Sequence, residues 1–253
     1  MLSLRLEYLS DIVDIFVVVE SSFTFTRTEK AFSARNVIDR LPTCISRKVR
    51  LIEMRDAPTG CFSNACNWQR EFYQRNAILR GLYDLDNDDL VTICDVDEIP
   101  NAPMLESFKA MLPRSWRGLN MCMDMFYYSA NNHMIDKDCE PVKWIFPKLV
   151  RPNFLISPQE VRMNPQLFRT SKPMGWHLSY MGRDEALRTK IKSYAHQENN
   201  TNEILSDLER KRKLRADPFN REYTFIDYDK SRLPNLILSN KYETFFFGIN
   251  QYL

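Results

Sequence analysis

The strongest constraint on the fold is a five-residue apolar run, Leu90-Val91-Thr92-Ile93-Cys94, which feeds directly into Asp95-Val96-Asp97-Glu98-Ile99 and is closed by Pro100. A short continuous run with β-branched residues at its centre reads as a strand buried on both faces, and such strands belong to open α/β sheets covered by helices. Ligands in these sheets sit beyond the carboxyl ends of the strands, so Asp95 and Asp97 stand where a bound cation is the first chemistry to test.

The rest of the chain alternates in the same style. Leu2 to Leu9 carries a short helical stripe, and Ile15-Phe16-Val17-Val18-Val19 is a β-branched strand ended by Glu20-Ser21-Ser22. Val49 to Met54 reads as another strand and Trp68 to Arg80 as a helix stopped by Gly81. After the motif, Pro103 opens a helix to Met111; Leu119 to Tyr128 and Trp144 to Val150 read as strands, Asp184 to His196 and Glu203 to Leu214 as helices. Strand, helix, strand implies a parallel sheet, lying mainly in the first 150 residues.

No linker, repeat or composition break divides the 253 residues, which is length enough for one large domain. A net charge of +2 gives no electrostatic commitment to nucleic acid, and the run Arg210-Lys211-Arg212-Lys213 with Arg215 reads as a solvated helix face because Glu209 and Leu214 interleave it. No apolar stretch approaches the ~20 residues of a membrane span, and Met1 to Glu7 is too charged for a signal-peptide core. Six cysteines without C-x-x-C spacing leave the redox compartment undecided; Cys94 and Cys122 read as small buried hydrophobes, whereas Cys61 and Cys66 either bridge a loop or stay free.

Hard cations such as Mg²⁺ and Mn²⁺ take oxygen ligands and are held by one or two carboxylates plus substrate phosphates, so Asp95-x-Asp97 suffices. Two such carboxylates repel by roughly 4 kcal/mol at about 4 Å and an effective dielectric of about 20, which a cation reverses. Three metal readings compete. Asp84 to Asp89 imitates an EF-hand start but has Asp89 where the loop needs Gly and Asp95 where it needs Glu. A D-x-D phosphatase of the haloacid-dehalogenase type puts Thr or Val where Ile99 stands, and its motif lies nearer the N-terminus. A nucleotide-sugar glycosyltransferase of GT-A type accepts D-x-D in mid-sheet and fits best.

Ordered blocks make that resemblance specific. Leu6 to Glu20, Gln74 to Leu82, Asp95 to Pro100, Gly175-Trp176-His177-Leu178-Ser179-Tyr180 and Ser193 to Glu198 together resemble glycosyltransferase family 17, which contains the β-1,4-mannosyl-glycoprotein 4-β-N-acetylglucosaminyltransferases. The resemblance implies a single GT-A-like domain over 1–253, a Rossmann-like mixed sheet flanked by helices, with the nucleotide-binding part at about 1–100 and the acceptor-side part at about 101–253. It implies UDP-N-acetylglucosamine as donor, Mn²⁺ or Mg²⁺ as cofactor, and inverting transfer to a mannose-containing oligosaccharide or glycoprotein. Family sequences begin with a strand and a Phe-Phe-Asn-Glu-like segment ahead of the helix at Leu2; here that first strand is missing. Two alternatives stay open, a catalytically silent carbohydrate-binding relative and a D-x-D phosphohydrolase. So do two compartments, the cytoplasm if this is the full chain and the Golgi lumen if an N-terminal anchor has been lost.

Site candidates follow from the motif and the resemblance. Asp95 and Asp97 are the metal ligands, joined by His177, which is otherwise a satisfied core histidine. Arg75, Asp95, Glu98 and Lys148 are the donor-binding candidates. Arg75 follows Glu71 by four residues and so has an ordinary ion pair as its bland reading, and Glu98 either braces the loop or touches the donor. Asp124, a carboxylate between apolar neighbours in a predicted strand, is the candidate general base, with a buried ion pair as its bland reading. Asp184 and Glu185 are the alternative base pair, with a helix start as theirs; Trp176 is either a sugar platform or core.

Overall fold

The computed structural model describes residues 1–60, 63–113 and 115–247. The chain opens with α1 (Leu2–Leu9), β1 (Phe16–Ser21), α2 (Ala34–Ile38), α3 (Thr43–Ser46) and β2 (Val49–Met54). β1 and β2 pair in parallel, from Phe16 opposite Val49 to Ser21 opposite Met54. The branched side chains of β1 favour extended backbone, and its Phe16 and Val18 face packs on Leu6, Leu9, Ile38 and Ile45. α4 (Asn64–Asn76) then tightens into a 3-10 turn, Ala77–Gly81, that lies directly on β1. Only glycine permits this approach: a Cβ on Gly81 would sit 2.6 Å from Val17 Cγ1.

The middle of the chain holds β3 (Val91–Ile93), β4 (Glu98–Pro100), α5 (Ala102–Met111), β5 (Gly118–Asn120), β6 (Met123–Tyr127), β7 (Asn132–Ile135), β8 (Lys143–Trp144), β9 (Lys148–Val150), α6 (Pro158–Met163), β10 (Phe168–Arg169) and β11 (Gly175–Ser179). It closes with α7 (Asp184–Ser193), α8 (Asn202–Lys213), β12 (Thr224–Asp227), α9 (Asn235–Leu238) and α10 (Asn240–Phe247). A four-stranded sheet runs β10-β5-β9-β3, and a larger one runs β12-β7-β6-β11-β4 with β8 added on β6. The architecture is the expected mixed α/β arrangement of sheets flanked by helices.

Three expectations need correction. β3 does not extend the parallel pair but joins β9 antiparallel, so the sheet is mixed and split. The predicted strands 119–128 and 144–150 each divide in two: Met121 and Cys122 carry the chain from β5 to β6, and Ile145-Phe146-Pro147 carries it from β8 to β9, with proline unable to donate to a ladder. The sheet also extends past residue 150, because β11 lies in the middle of the larger one, between β6 and β4. Its first residue must be glycine, since a Cβ on Gly175 would fall on the Ile99 carbonyl of β4.

Strand alternation gives this larger sheet two distinct faces. Ile99, Phe126, Trp176 and Leu178 pack with Phe246 on one; Met125, Tyr127 and Tyr180 pack with Leu187 and Ile191 of α7 on the other. Trp176 is therefore core, edge-on to Tyr8. Cys66 is disulfide-bonded, and Cys61, its candidate partner, lies outside the described residues. Among the described residues no helix is long and apolar enough to cross a membrane.

Candidate active site

After β3 the chain turns through Asp95-Val96-Asp97-Glu98, closed by Glu98 N–H donating to the Asp95 carbonyl at 3.1 Å. The Glu98 carboxylate then reaches back to accept from the Asp95 N–H at 2.6 Å, so the acid at the end of the turn braces its beginning. Arg162 of α6 grips the same carboxylate with both terminal nitrogens, at 2.9 and 2.6 Å, and Trp144 Nε1 donates to it as well. Glu98 is fully buried and wholly occupied by these partners. These contacts are those of the brace.

Asp95 is the more open carboxylate, with 43% of its side chain exposed, and it accepts from Arg162 at 2.8 Å and Arg75 at 3.1 Å. Burial would raise its pKa, but the charges of Arg162 and Arg75 hold it below the usual carboxylate range. Arg75 pairs with Glu71 at 2.8 Å, bonds Gln159, and directs the same guanidinium at Asp95 of the motif.

Asp97 sits at a second corner. Its Oδ2 accepts from Lys190 of α7 at 2.8 Å, while Oδ1 lies 3.5 Å from His177 Nε2. Burial pushes its carboxyl up, yet Lys190 and His177 overcome this and hold it well below the ordinary range. β11 fixes the spot from behind: Leu178 N–H donates to the Asp97 carbonyl at 2.8 Å, and His177 lies opposite Glu98 in the β4 register. The His177 ring packs on Trp144 at 4.5 Å, and its Nδ1 is buried without a hydrogen-bond partner among the described residues.

These contacts test the fit of a divalent cation. Asp97 Oδ1 and His177 Nε2 face each other at 3.5 Å, a carboxylate and an imidazole that are both acceptable ligands of such a cation, and Asp95 offers an exposed carboxylate two residues away. Among the described residues no three His, Cys, Asp or Glu side chains converge into a cage. A site of this kind is completed by phosphates and water, as Mg²⁺ and Mn²⁺ sites commonly are.

Two candidates are placed elsewhere. Lys148 is 2% exposed and its ammonium donates to the Ile145 and Phe146 carbonyls at 3.1 and 2.9 Å, inside the protein. Burial, followed by the nearby Arg162 charge, lowers its pKa from an ordinary 10.5 to about 8. The unfolded chain therefore binds more protons than the folded one between about pH 8 and 10.5, and this group's contribution to stability rises with pH across that window. Denaturant titrations of wild type and Lys148→Met should diverge by about 2–3 kcal/mol between those limits, the wild type gaining as pH rises.

Asp124 is the second. It alternates onto the Trp176 and Phe126 face of the sheet, opposite the face that carries His177, and accepts from Lys143 at 2.5 Å and Tyr228 at 3.2 Å, with His133 Nε2 3.5 Å away. This is the buried ion pair of its bland reading, and a β-sheet separates it from Asp97. Asp184 likewise serves structure, held by Arg212 at 2.5 Å across the α7–α8 contact.

Arg162, Lys190 and Trp144, which do most of the holding, are not singled out by reading the sequence. Arg162 lies 64 residues from Glu98, on the short helix α6 capped by Ser157, and Lys190 reads as one more lysine on a charged helix. One signal was available: Lys190 adjoins Ile191 on the buried stripe of α7, a position that aims a long side chain at the sheet.

Comparison with known proteins gives one match. The family model described as glycosyltransferase family 17 matches residues 1–217. No curated protein and no solved structure matches.

Proposed function

The chain belongs to glycosyltransferase family 17 and is a glycosyltransferase, and from that premise we propose that it transfers N-acetylglucosamine from UDP-N-acetylglucosamine to a mannose-containing glycan, with inversion and with a divalent cation, Mn²⁺ or Mg²⁺, as cofactor. The observation that carries the reading is the corner where Asp97, His177 and Lys190 meet, two residues from the Arg75-held carboxylate of Asp95, beyond the carboxyl end of β3. Asp97 would hold the cation with Asp95 and His177. A cation bound there offsets charge on the departing UDP.

The chain's own residues do the rest. Lys190 and Arg75 bring positive charge to the same edge and would meet the diphosphate oxygens, Arg75 as a fork and Lys190 as a point charge. Glu98 and Arg162 keep the turn rigid, so the two motif carboxylates do not have to be ordered at the moment of reaction. Because Asp124 opens on the other face of the sheet, acceptor deprotonation belongs to a group on the Asp97 face.

Incubation with radiolabelled UDP-N-acetylglucosamine, a mannose-terminated N-glycan and Mn²⁺ is the direct test. Labelled glycan should form, disappear with excess EDTA and return when Mn²⁺ is restored. Transfer that survives chelation would remove the cation from the reading; no transfer from this donor would remove the donor assignment.

A further inference from the structure

Trp144, half-buried on β8, touches both ends of the motif's surroundings. β8 and β11 flank β6 on either side, since Asp124 pairs with Lys143 of one and Trp176 of the other. Trp144 lies opposite Met123 and His177 opposite Met125, and cross-strand partners share a face, so indole and imidazole stand on the same face of the sheet. The indole reaches across β6 and packs on the imidazole with ring centres 4.5 Å apart and planes inclined by 39°. Its Nε1 donates to the Glu98 carboxylate, and Phe146 packs on it at 4.7 Å.

An imidazole that binds a cation through one nitrogen ordinarily donates from the other to a carboxylate or carbonyl, which fixes the ring. His177 departs from this pattern: Nε2 faces Asp97 Oδ1 at 3.5 Å, and Nδ1 is buried with no hydrogen-bond partner among the described residues. A flat contact replaces that restraint only if the flat group is itself fixed, because stacked rings slide at little cost. Trp144 meets the condition. Glu98 accepts its N–H, is fully buried, and is gripped by both terminal nitrogens of Arg162. Rigidity thus passes from the arginine through Glu98 and the indole to the imidazole, and the last step is a ring contact.

We propose that Trp144 is the positioning residue of His177: its indole, pinned by Glu98, stands in for the second-nitrogen hydrogen bond and keeps Nε2 turned to the Asp97 corner. This role rests on the reading of His177 as a cation ligand, and it extends the Glu98 brace from the turn to the cation corner.

The test compares the full chain with Trp144→Phe, which keeps a ring and loses the N–H, and with Trp144→Leu, which loses both; thermal melting checks folding. Where Trp144→Leu does not fold, Trp144→Met takes its place, an adaptable apolar side chain without a ring. The first readout needs no metal. The carbon-bound protons of the His177 ring, assigned by the signals that His177→Gln removes, should lie upfield in wild type because the indole shields them. They should stay upfield in Trp144→Phe and move to the ordinary histidine position in Trp144→Leu. The second readout uses Mn²⁺ alone, followed by loss of the free ion's paramagnetic resonance signal. Trp144→Leu should raise the half-saturating concentration at least about tenfold, the scale of losing the outer partner of a metal-bound histidine, and Trp144→Phe by no more than about threefold. An unchanged His177 signal in Trp144→Leu would overturn the proposal. So would equal weakening of Mn²⁺ binding by the two variants, since the lost N–H alone would then account for it. Wild type that binds no Mn²⁺ would remove the cation from the sugar-transfer reading, and the ring signal would still decide whether Trp144 orients His177.

Discussion

Arg162→Met is expected to cost about 3–5 kcal/mol of stability, the penalty for leaving a buried carboxylate without its partner. Glu98 has no solvent to turn to: it is fully buried, and Arg162 supplies two of its hydrogen bonds as well as the compensating charge. Arg162 is itself only 4% exposed, and burial would lower its pKa were it not for Glu98 and Asp95, which raise it above the ordinary arginine value. Urea unfolding would show the loss as a lower midpoint at unchanged slope, and thermal unfolding as a fall of about 10 °C for a chain of this size. A second measurement separates the ion pair from packing. Glu98→Leu combined with Arg162→Met should destabilise by less than the two single changes summed, because each single change strands a charge and the double change strands none of this pair. A loss below about 1 kcal/mol for Arg162→Met would show that water reaches Glu98 and that the turn is not braced as described.

What the sequence shows of this site and what it hides follow the range of the interactions. Asp95, Asp97 and the turn are legible because the apolar run and the acids are contiguous, and local hydrogen bonds between residues 95 and 98 decide the geometry. α1 over Leu2–Leu9 and β2 over Val49–Met54 fall where periodicity and branching put them, since each is set by its own side chains. Sheet pairing is different. β3 reads as one strand of a parallel sheet, but its partner is β9, more than fifty residues on, and nothing near Leu90 encodes an antiparallel neighbour. The surroundings of Lys148 and Asp124 are hidden for a related reason: strand position tells that a charged side chain is buried, and the face and partner depend on β11 and on the Ile145-Phe146 carbonyls. His177 was placed beside the motif by resemblance, and its approach to Asp97 depends on the β4–β11 register that Gly175 permits.

Asp97→Asn should lower kcat/KM by roughly 10²–10³-fold while leaving the fold intact, the scale of removing one preorganised electrostatic contact from a transition state. The amide keeps the size of the side chain and an acceptor for Lys190, but it removes the charge that would hold a cation. Stability should fall by about 1.5–3 kcal/mol, the scale of hydrogen bonds to a charged group, because Asp97 is only 16% exposed beside Lys190 and His177. The half-saturating Mn²⁺ concentration should rise, which a merely structural carboxylate would not produce. Arg75→Met makes the contrast: a lost diphosphate contact raises the donor KM, and if the contact is equally strong before and during transfer it leaves kcat unchanged. pH gives an independent reading. Lys190 and His177 hold Asp97 well below the ordinary carboxylate range, so its folded value is depressed and it stays ionised as pH falls through 5. The acid limb of the rate profile therefore belongs to another group, and wild type and Asp97→Asn should share its midpoint. Retention of activity within about threefold by Asp97→Asn, with an unchanged Mn²⁺ requirement, would move the catalytic centre away from this corner.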